Sequence, residues 1–268
     1  MTIALPEALL LGLVQGITDF LPISNEGHLA LAQMLFGDGI SLAMAVFLQA
    51  GTLSATLLGV RKRATGAITE ALRGVVRPSL LKDTQGGRDA VVVLLATIPT
   101  GIVGILLRGP SELCARSPTL LGACFLGSAL AIGSTYWAPP GKKDSPCHWG
   151  SILVGVLQGA AVLPGLSRSA VTIAALLWLG LPGARAFELS LLVSLPMLAG
   201  AKFLGARHDF HGTDSVAALL LGSCAAFVTG LAALHLLRVA VVRRLVPVFA
   251  VYLLPLGVAT LAWGYARP

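Results

Sequence analysis

The feature that most restricts the fold of this chain is a polar break, written twice into an otherwise oily sequence. Gln15 to Gly37 reads QGITDFLPISNEGHLALAQMLFG, and Gln158 to Gly180 reads QGAAVLPGLSRSAVTIAALLWLG. Each stretch is entered from an apolar run, Leu9–Val14 or Ile152–Leu157, and opens on Gln-Gly. Each then meets a proline (Pro22, Pro164), a set of polar residues and a second apolar run. One copy carries Asp19, Glu26 and His28, and the other carries Arg168 between two serines. A duplicated polar break among apolar runs is the usual mark of a site buried at membrane depth.

The surrounding composition makes membrane depth the right frame. Hydrophobic residues are 56% of the chain and charged residues 12%, with a mean hydropathy of +0.85. A soluble domain carries about twice that charge. The apolar runs are continuous rather than alternating, which excludes a β-barrel. They have the length needed to cross a hydrocarbon core, about 20 helical residues. The expected fold is therefore an all-α polytopic membrane protein, one integral domain over residues 1–268. The net charge of +7 does not imply nucleic acid as a partner, because the basic residues sit in loops between apolar runs. The four cysteines form no CxxC pair and read as packing residues. The first apolar run lacks a basic n-region and a cleavage site, so it is expected to be retained as structure.

Apolar segments fall at about 4–21, 23–36, 41–60, 90–107, 118–137, 151–163, 166–181, 185–204, 214–237 and 245–264. The pairs 4–21/23–36 and 151–163/166–181 contain segments too short to span alone. They read as two re-entrant helical hairpins, and non-helical backbone at this depth must line a cavity or be buried in protein. The other six segments then span. Repeat one covers about 4–137 and repeat two about 151–264. On this count the loops at 61–89, 138–150 and 238–244 share one face and hold 12 of the 19 Lys and Arg residues. The positive-inside rule makes that face cytoplasmic and places both termini outside. The two halves are then inverted, and the hairpin tips can meet near the midplane. Ala64–Val76 has helical apolar spacing with basic flanks, which suits a helix lying on the inner leaflet or else a solvated linker.

The second break is built for an anion. Ser167, Arg168 and Ser169 sit where Pro164-Gly165 opens a new helix, so hydroxyls, a guanidinium fork and free N–H groups converge, with Thr172 one turn on. Arg168 could instead, or in addition, pair with Asp19 or Glu26 as a brace. The first break supplies the complement. Gln15 and Asp19 share a helix face, and Ser24, Asn25, Glu26 and His28 follow the proline. Asp19 and Glu26 could hold a divalent cation, Mg²⁺ or Ca²⁺, on oxygen ligands. His28 suits general acid–base work, and Ser24 could attack if His28 reaches it. Gln49, Glu188 and Lys202 are lesser intramembrane polar residues, with Glu188 expected to brace Arg185 or Arg168. His148, His208, His211 and His235 lack metal-ligand spacing.

Together these residues resemble the bacitracin-resistance family of undecaprenyl-diphosphate phosphatases. The family's first motif, E-G-x-T-E-F-L-P-x-S-S-T-G-H, is similar to residues Gln15 to His28. Its second motif, P-G-x-S-R-S-G-x-T, is similar to Pro164 to Thr172, and its Q-x-G matches Gln49-Ala50-Gly51. The resemblance implies interlocked inverted repeats with two re-entrant hairpins, usually paired as a homodimer. It implies removal of the terminal phosphate of a C55 polyprenyl diphosphate at a site facing the outer side of the bacterial inner membrane, with a divalent cation. It also implies that the motif acids, serine, His and Arg carry the reaction. This chain departs from the motif at Gln15, Asp19, Asn25, Glu26 and Ala170. Glu26 is expected to replace the carboxylate lost at Gln15, and the attacking group is expected to be Ser24 or water. The resulting reading gives Asp19, Ser24, Glu26, His28 and Arg168 catalytic roles. Gln15, Asn25, Ser167, Ser169 and Thr172 would bind substrate. A non-hydrolytic transporter, flippase or binding protein for a lipid-linked phosphate is the alternative, since broken inverted repeats also serve transport.

Overall fold

The computed structural model describes residues 3–37, 41–205 and 215–266. The side chain of Lys202, together with His208 and His211, lies outside the described residues. All regular structure among the described residues is helical. The N-terminal half comprises α1 (Leu5–Phe20), α2 (Asn25–Phe36), α3 (Leu42–Val76), α4 (Leu80–Asp83), α5 (Gln85–Leu106), α6 (Arg108–Cys114) and α7 (Pro118–Gly133). A 3₁₀ turn at Ser134–Trp137 extends α7. The C-terminal half comprises α8 (His148–Ala160), α9 (Arg168–Trp178), α10 (Gly183–Gly205), α11 (Val216–Val242) and α12 (Val248–Ala266).

Both expected breaks are present. At a rise of about 1.5 Å per residue, α1, α2, α8 and α9 are each too short for a core of roughly 30 Å. Five described helices, α3, α5, α7 with its 3₁₀ turn, α11 and α12, have the length and apolar character of spans, so this is a multi-pass membrane protein. The sixth expected span, α10, has the length but carries Arg185 and Glu188 in its first two turns. Both are paired within the protein, as described below.

One expectation is corrected. Ala64–Val76 is helical, but it continues α3 without interruption and does not form a separate helix on the leaflet. No proline interrupts residues 42–76, and Ala64, Ala67 and Gly74 are buried on the side that packs against the rest of the protein. At 35 residues α3 runs about 50 Å, well beyond a hydrocarbon core.

The two halves exchange their hairpins. The first hairpin helix, α1, packs most extensively on α11 of the C-terminal half, while α8 packs on α5 of the N-terminal half. The contact is of the same kind in both places. A Cβ on Gly12 would strike the Gly222 carbonyl, and one on Gly16 the Ala226 carbonyl. Likewise a Cβ on Gly155 would strike the Ala96 carbonyl, and one on Gly159 the Thr100 carbonyl. A threonine seals each crossing: Thr229 Oγ1 donates to the Gly12 carbonyl at 3.4 Å, and Thr100 Oγ1 to the Gly155 carbonyl at 2.9 Å. Paired glycines four apart let membrane helices approach backbone to backbone, where packing replaces the missing hydrophobic drive. The exchange fixes each hairpin against the opposite half, so both breaks point into one interior.

A buried ion pair ties the start of α10 to α5. Arg185 Nη1 lies 3.2 Å from Asp89 Oδ2, and Nη2 contacts the other carboxylate oxygen. Arg185 Nε donates to the Asp144 carbonyl at 2.6 Å. Glu188 pairs with Arg63 of α3, accepting from Nε and Nη2 at 2.9 Å each. Glu188 therefore braces neither Arg185 nor Arg168; Arg63 reaches it from the adjacent span.

Candidate active site

The hairpin tips touch. α1 ends at Phe20, ahead of Pro22, and α2 begins after Ser24, whose backbone sits in the left-handed region at φ 68°. A non-glycine residue there is strained and needs support from its surroundings. Ser24 Oγ accepts from the Gly27 amide at 3.3 Å and from the Gly165 amide of the other hairpin at 3.1 Å. Ser169 Oγ returns the contact, donating to the Leu21 carbonyl at 3.4 Å. Gly165 itself is at φ 91°, and a Cβ there would meet Cys124 Cβ and the Leu121 carbonyl, so glycine is required.

Helices α6 and α7 clamp the second tip from behind. Ser111 Oγ donates to the Val162 carbonyl at 2.9 Å, and Cys114 Sγ to the Pro164 carbonyl at 3.3 Å. Ser128 Oγ donates to the Gly165 carbonyl at 2.8 Å and accepts from the Ser167 amide at 2.7 Å. Ser167 caps α9, accepting from the Ala170 amide at 3.3 Å, and its hydroxyl lies 3.2 Å from that of Ser169. The helix start leaves the Arg168 and Ser169 amides without intrahelical acceptors, an arrangement that favours an anion.

Between the tips lies a cavity of about 320 Å³. Asp19, Ser24, Asn25, Glu26, Ser167, Arg168 and Ser169 line it, joined by Thr18, Gln49 and Ser111. Arg168 Nη2 is 3.6 Å from Asp19 Oδ1, and Gln49 Nε2 donates to Asp19 Oδ2 at 3.4 Å. The brace expected as an alternative is thus present, but it is long and engages one guanidinium nitrogen. Arg168 lines the cavity and makes no other ion pair among the described residues. Glu26 is exposed and has no ion pair or hydrogen bond there.

Other predicted residues stand behind the lining. Asn25 is held at both ends of its amide, donating to Gln15 Oε1 at 2.9 Å and accepting from Thr18 Oγ1 at 2.7 Å. Gln15 is buried and supports Asn25, and it lines an adjoining cavity of about 330 Å³ with Asn25, Glu26 and Gln49. Thr172 is fully buried, donating to the Arg168 carbonyl at 2.8 Å and lying 2.7 Å from Ser190 Oγ, away from the lining. His28 is also outside it. Its Nδ1 is 2.8 Å from the Ser24 carbonyl, which can only accept, so Nδ1 carries a proton. Nε2 is 2.7 Å from the Tyr252 hydroxyl, and the two rings stack at 5.8 Å. Neither ring nitrogen reaches Ser24 Oγ among these contacts; His28 instead holds the carbonyl of the strained Ser24 turn.

Sequence reading missed Ser111, Ser128 and Tyr252. None belongs to either polar break, and only the fold brings them close. Thr18 was visible as a polar residue on the Gln15–Asp19 helix face, and Gln49 as a lone buried amide.

A family match decides what kind of protein this architecture belongs to. Residues 8–259 match the family described as bacitracin resistance protein BacA. The chain belongs to that family. It is 36% identical to an undecaprenyl-diphosphatase of Desulfosudis oleivorans over 96% of this chain and 98% of the relative. It is 34% identical to the protein of that name from Bacteroides fragilis, over 95% and 96% of the two chains. A Korarchaeum cryptofilum relative with the same name is 30% identical over 96% and 98%. The BacA-family match spans both hairpins, so the joined tips and their cavity lie inside the region that defines membership.

Proposed function

We propose that this protein is a membrane phosphatase that converts undecaprenyl diphosphate to the monophosphate and inorganic phosphate, recycling the lipid carrier of cell-wall precursors. The observation that carries the reading is the meeting of the hairpin tips. It puts an anion grip (Arg168, Ser167, Ser169 and the start of α9) on the lining of one cavity with two acids, of which Asp19 lies 3.6 Å from Arg168. Purified protein in detergent, given a C55 or C15 diphosphate and a divalent cation, should release phosphate. Bound lipid with no release would point to the transport or binding reading instead.

Ser24 serves best as a donor. A neutral hydroxyl oxygen has two lone pairs, and the Gly27 and Gly165 amides occupy both. Its remaining proton can hold a phosphate oxygen, which leaves water as the attacking group. Asn25 has no nucleophilic atom and keeps the first tip in shape through Gln15 and Thr18.

The residues fit a divalent cation of one kind. Asp19 and Glu26 are the acids on the lining, and no group of three or more His, Cys, Asp or Glu residues gathers among the described residues. That donor set suits Mg²⁺, which commonly binds through one or two carboxylates plus substrate phosphates, better than an all-protein Ca²⁺ cage. When bound, such a cation would polarise the phosphate being transferred. Glu26→Gln should raise the cation concentration needed for half-maximal phosphate release by about tenfold or more. An unchanged cation titration would remove Glu26 from this role.

Tyr252 is a positioning residue in this reading, acting through His28 on the Ser24 turn. Tyr252→Phe deletes the donor to His28 Nε2. Turnover should fall by roughly threefold to tenfold at unchanged KM, the effect of one lost hydrogen bond. A change confined to KM would count against it.

A site opening to the outer side of the bacterial inner membrane, with both termini outside, completes the proposal. It is supported by one contact that puts two of the basic loops on the same face, Arg244 Nη2 donating to the Ala138 carbonyl at 3.2 Å, and by the positive-inside rule, which assigns such a face to the cytoplasm. Pairing of two copies is proposed from the family resemblance; the particle mass in detergent, by light scattering, checks it.

A further inference from the structure

We propose that Cys114 and Cys124 form a dithiol modification site. Their oxidation to an intramolecular disulfide would unlatch the anion-gripping tip of the second hairpin. The two sulfurs lie 3.7 Å apart, at the end of α6 and within α7, and both are free thiols. They sit directly under the tip. The Cys114 thiol donates to the Pro164 carbonyl, and the Gly165 backbone packs on Cys124 Cβ with no room for a side chain between. The next residues of the same loop are Leu166, Ser167 and Arg168, which line the cavity. A change at the thiols therefore acts two to four residues from the groups that would hold phosphate.

The chemistry is available to this pair and to no other among the described cysteines. Cys147 and Cys224 are exposed and have no thiol neighbour. Cys124 is partly exposed and Cys114 is buried, so an incoming reagent meets Cys124 first and Cys114 resolves the adduct. With a diazenedicarboxamide oxidant, the Cys124 thiolate adds to the N=N bond and Cys114 then displaces the hydrazine. Two S–H bonds are lost and one S–S bond forms. Both protons and both electrons end on the hydrazine product.

Bond formation must bring the sulfurs from 3.7 Å to about 2.05 Å. The Cys114 S–H that holds Pro164 is consumed in the process. The tip loses one of its latches from α6, and the Cys124 side chain shifts beneath Gly165. A displacement of about 1 Å at a positioned group can cost up to a hundredfold in rate.

The experiment uses the full-length protein with Cys147→Ser and Cys224→Ser, treated with diamide and then alkylated under denaturing conditions. The expected result is a Cys114–Cys124 crosslinked peptide by mass spectrometry. Phosphate release should drop by about tenfold or more and return with dithiothreitol. Adding Cys124→Ala should make the protein insensitive to diamide. Full alkylation of both thiols after treatment would overturn the site, and so would a complete crosslink with unaltered phosphate release. The effect on phosphate release rests on the phosphatase reading, so inorganic diphosphate binding is measured alongside by thermal shift. If untreated protein releases no phosphate, the phosphatase reading fails, while the crosslink and a loss of diphosphate binding on oxidation still decide the dithiol.

Discussion

Arg168→Ala should lower phosphate release by about a thousandfold, the loss expected when a preorganised group that meets developing phosphoryl charge is removed. Arg168 stands at the first position of α9, beside the Ser167 cap and on the cavity wall. Its ion pair to Asp19 spans 3.6 Å and engages one guanidinium nitrogen, with no second ion pair among the described residues. Arg168→Lys keeps the charge but gives up the planar fork and should recover only part of the activity. The single Ala variant also strands Asp19, which is largely buried with only Gln49 left beside it. The double variant Arg168→Ala with Asp19→Asn separates the two roles when inorganic diphosphate binding is read without added cation, since Asp19 is itself a proposed cation ligand. If Arg168 were only a brace, the double variant would bind diphosphate as Asp19→Asn does. If Arg168 holds phosphate, the double variant loses that binding while Asp19→Asn keeps it. Normal turnover in Arg168→Ala would end the assignment.

The parts of this site that the sequence discloses are those with a local cost. A guanidinium at membrane depth, a proline before a serine, and acids next to apolar runs each violate the solvent around them, so they stand out residue by residue. The long apolar helices are legible from the length of their runs, from Leu5–Phe20 through Val248–Ala266, whereas α4 and α6 fall between the apolar segments. The long-range partners carry no such mark. Asp89 reads as an ordinary loop-edge acid until Arg185, 96 positions away, closes on it. Tyr252 is one aromatic among many apolar neighbours, 224 positions from His28. Ser111 and Cys114 lie in a stretch that reads as a loop, yet they hold the tip that carries Arg168. From the sequence Thr172 is expected to bind substrate, but spacing gives a helix face and not the neighbour that covers it, and its hydroxyl meets Ser190 of α10 away from the cavity lining. Continuity misled in the other direction at α3, where basic residues at 61–63 marked the end of an apolar run but not the end of a helix.

Asp89→Ala should be among the most damaging substitutions to stability, although it lies outside the cavity. Asp89 is fully buried and Arg185 is 5% exposed, so removing the carboxylate leaves a guanidinium inside the protein with the Asp144 carbonyl as its one remaining partner among the described residues. Breaking a buried pair in this way costs about 3–5 kcal/mol, because the remaining charge keeps its desolvation penalty and loses its compensation. The expected readout is a large fall in the detergent-solubilised unfolding temperature, with activity lost in parallel. That coupling follows from the connections. α5 carries the crossing for α8, and α10 contributes Met197 and Leu198 to the cavity wall. Loosening the start of α10 therefore disturbs the second hairpin from two sides. The double substitution Asp89→Leu with Arg185→Met removes both charges while keeping most of the volume. It should recover most of the stability, since an apolar pair commonly equals or exceeds a buried ion pair. If Asp89→Ala alone proves as stable as the parent, the pair is not a structural tie. If the double variant is no better than the single, relief of the stranded charge is outweighed by the Arg185–Asp144 hydrogen bond that the double variant also gives up.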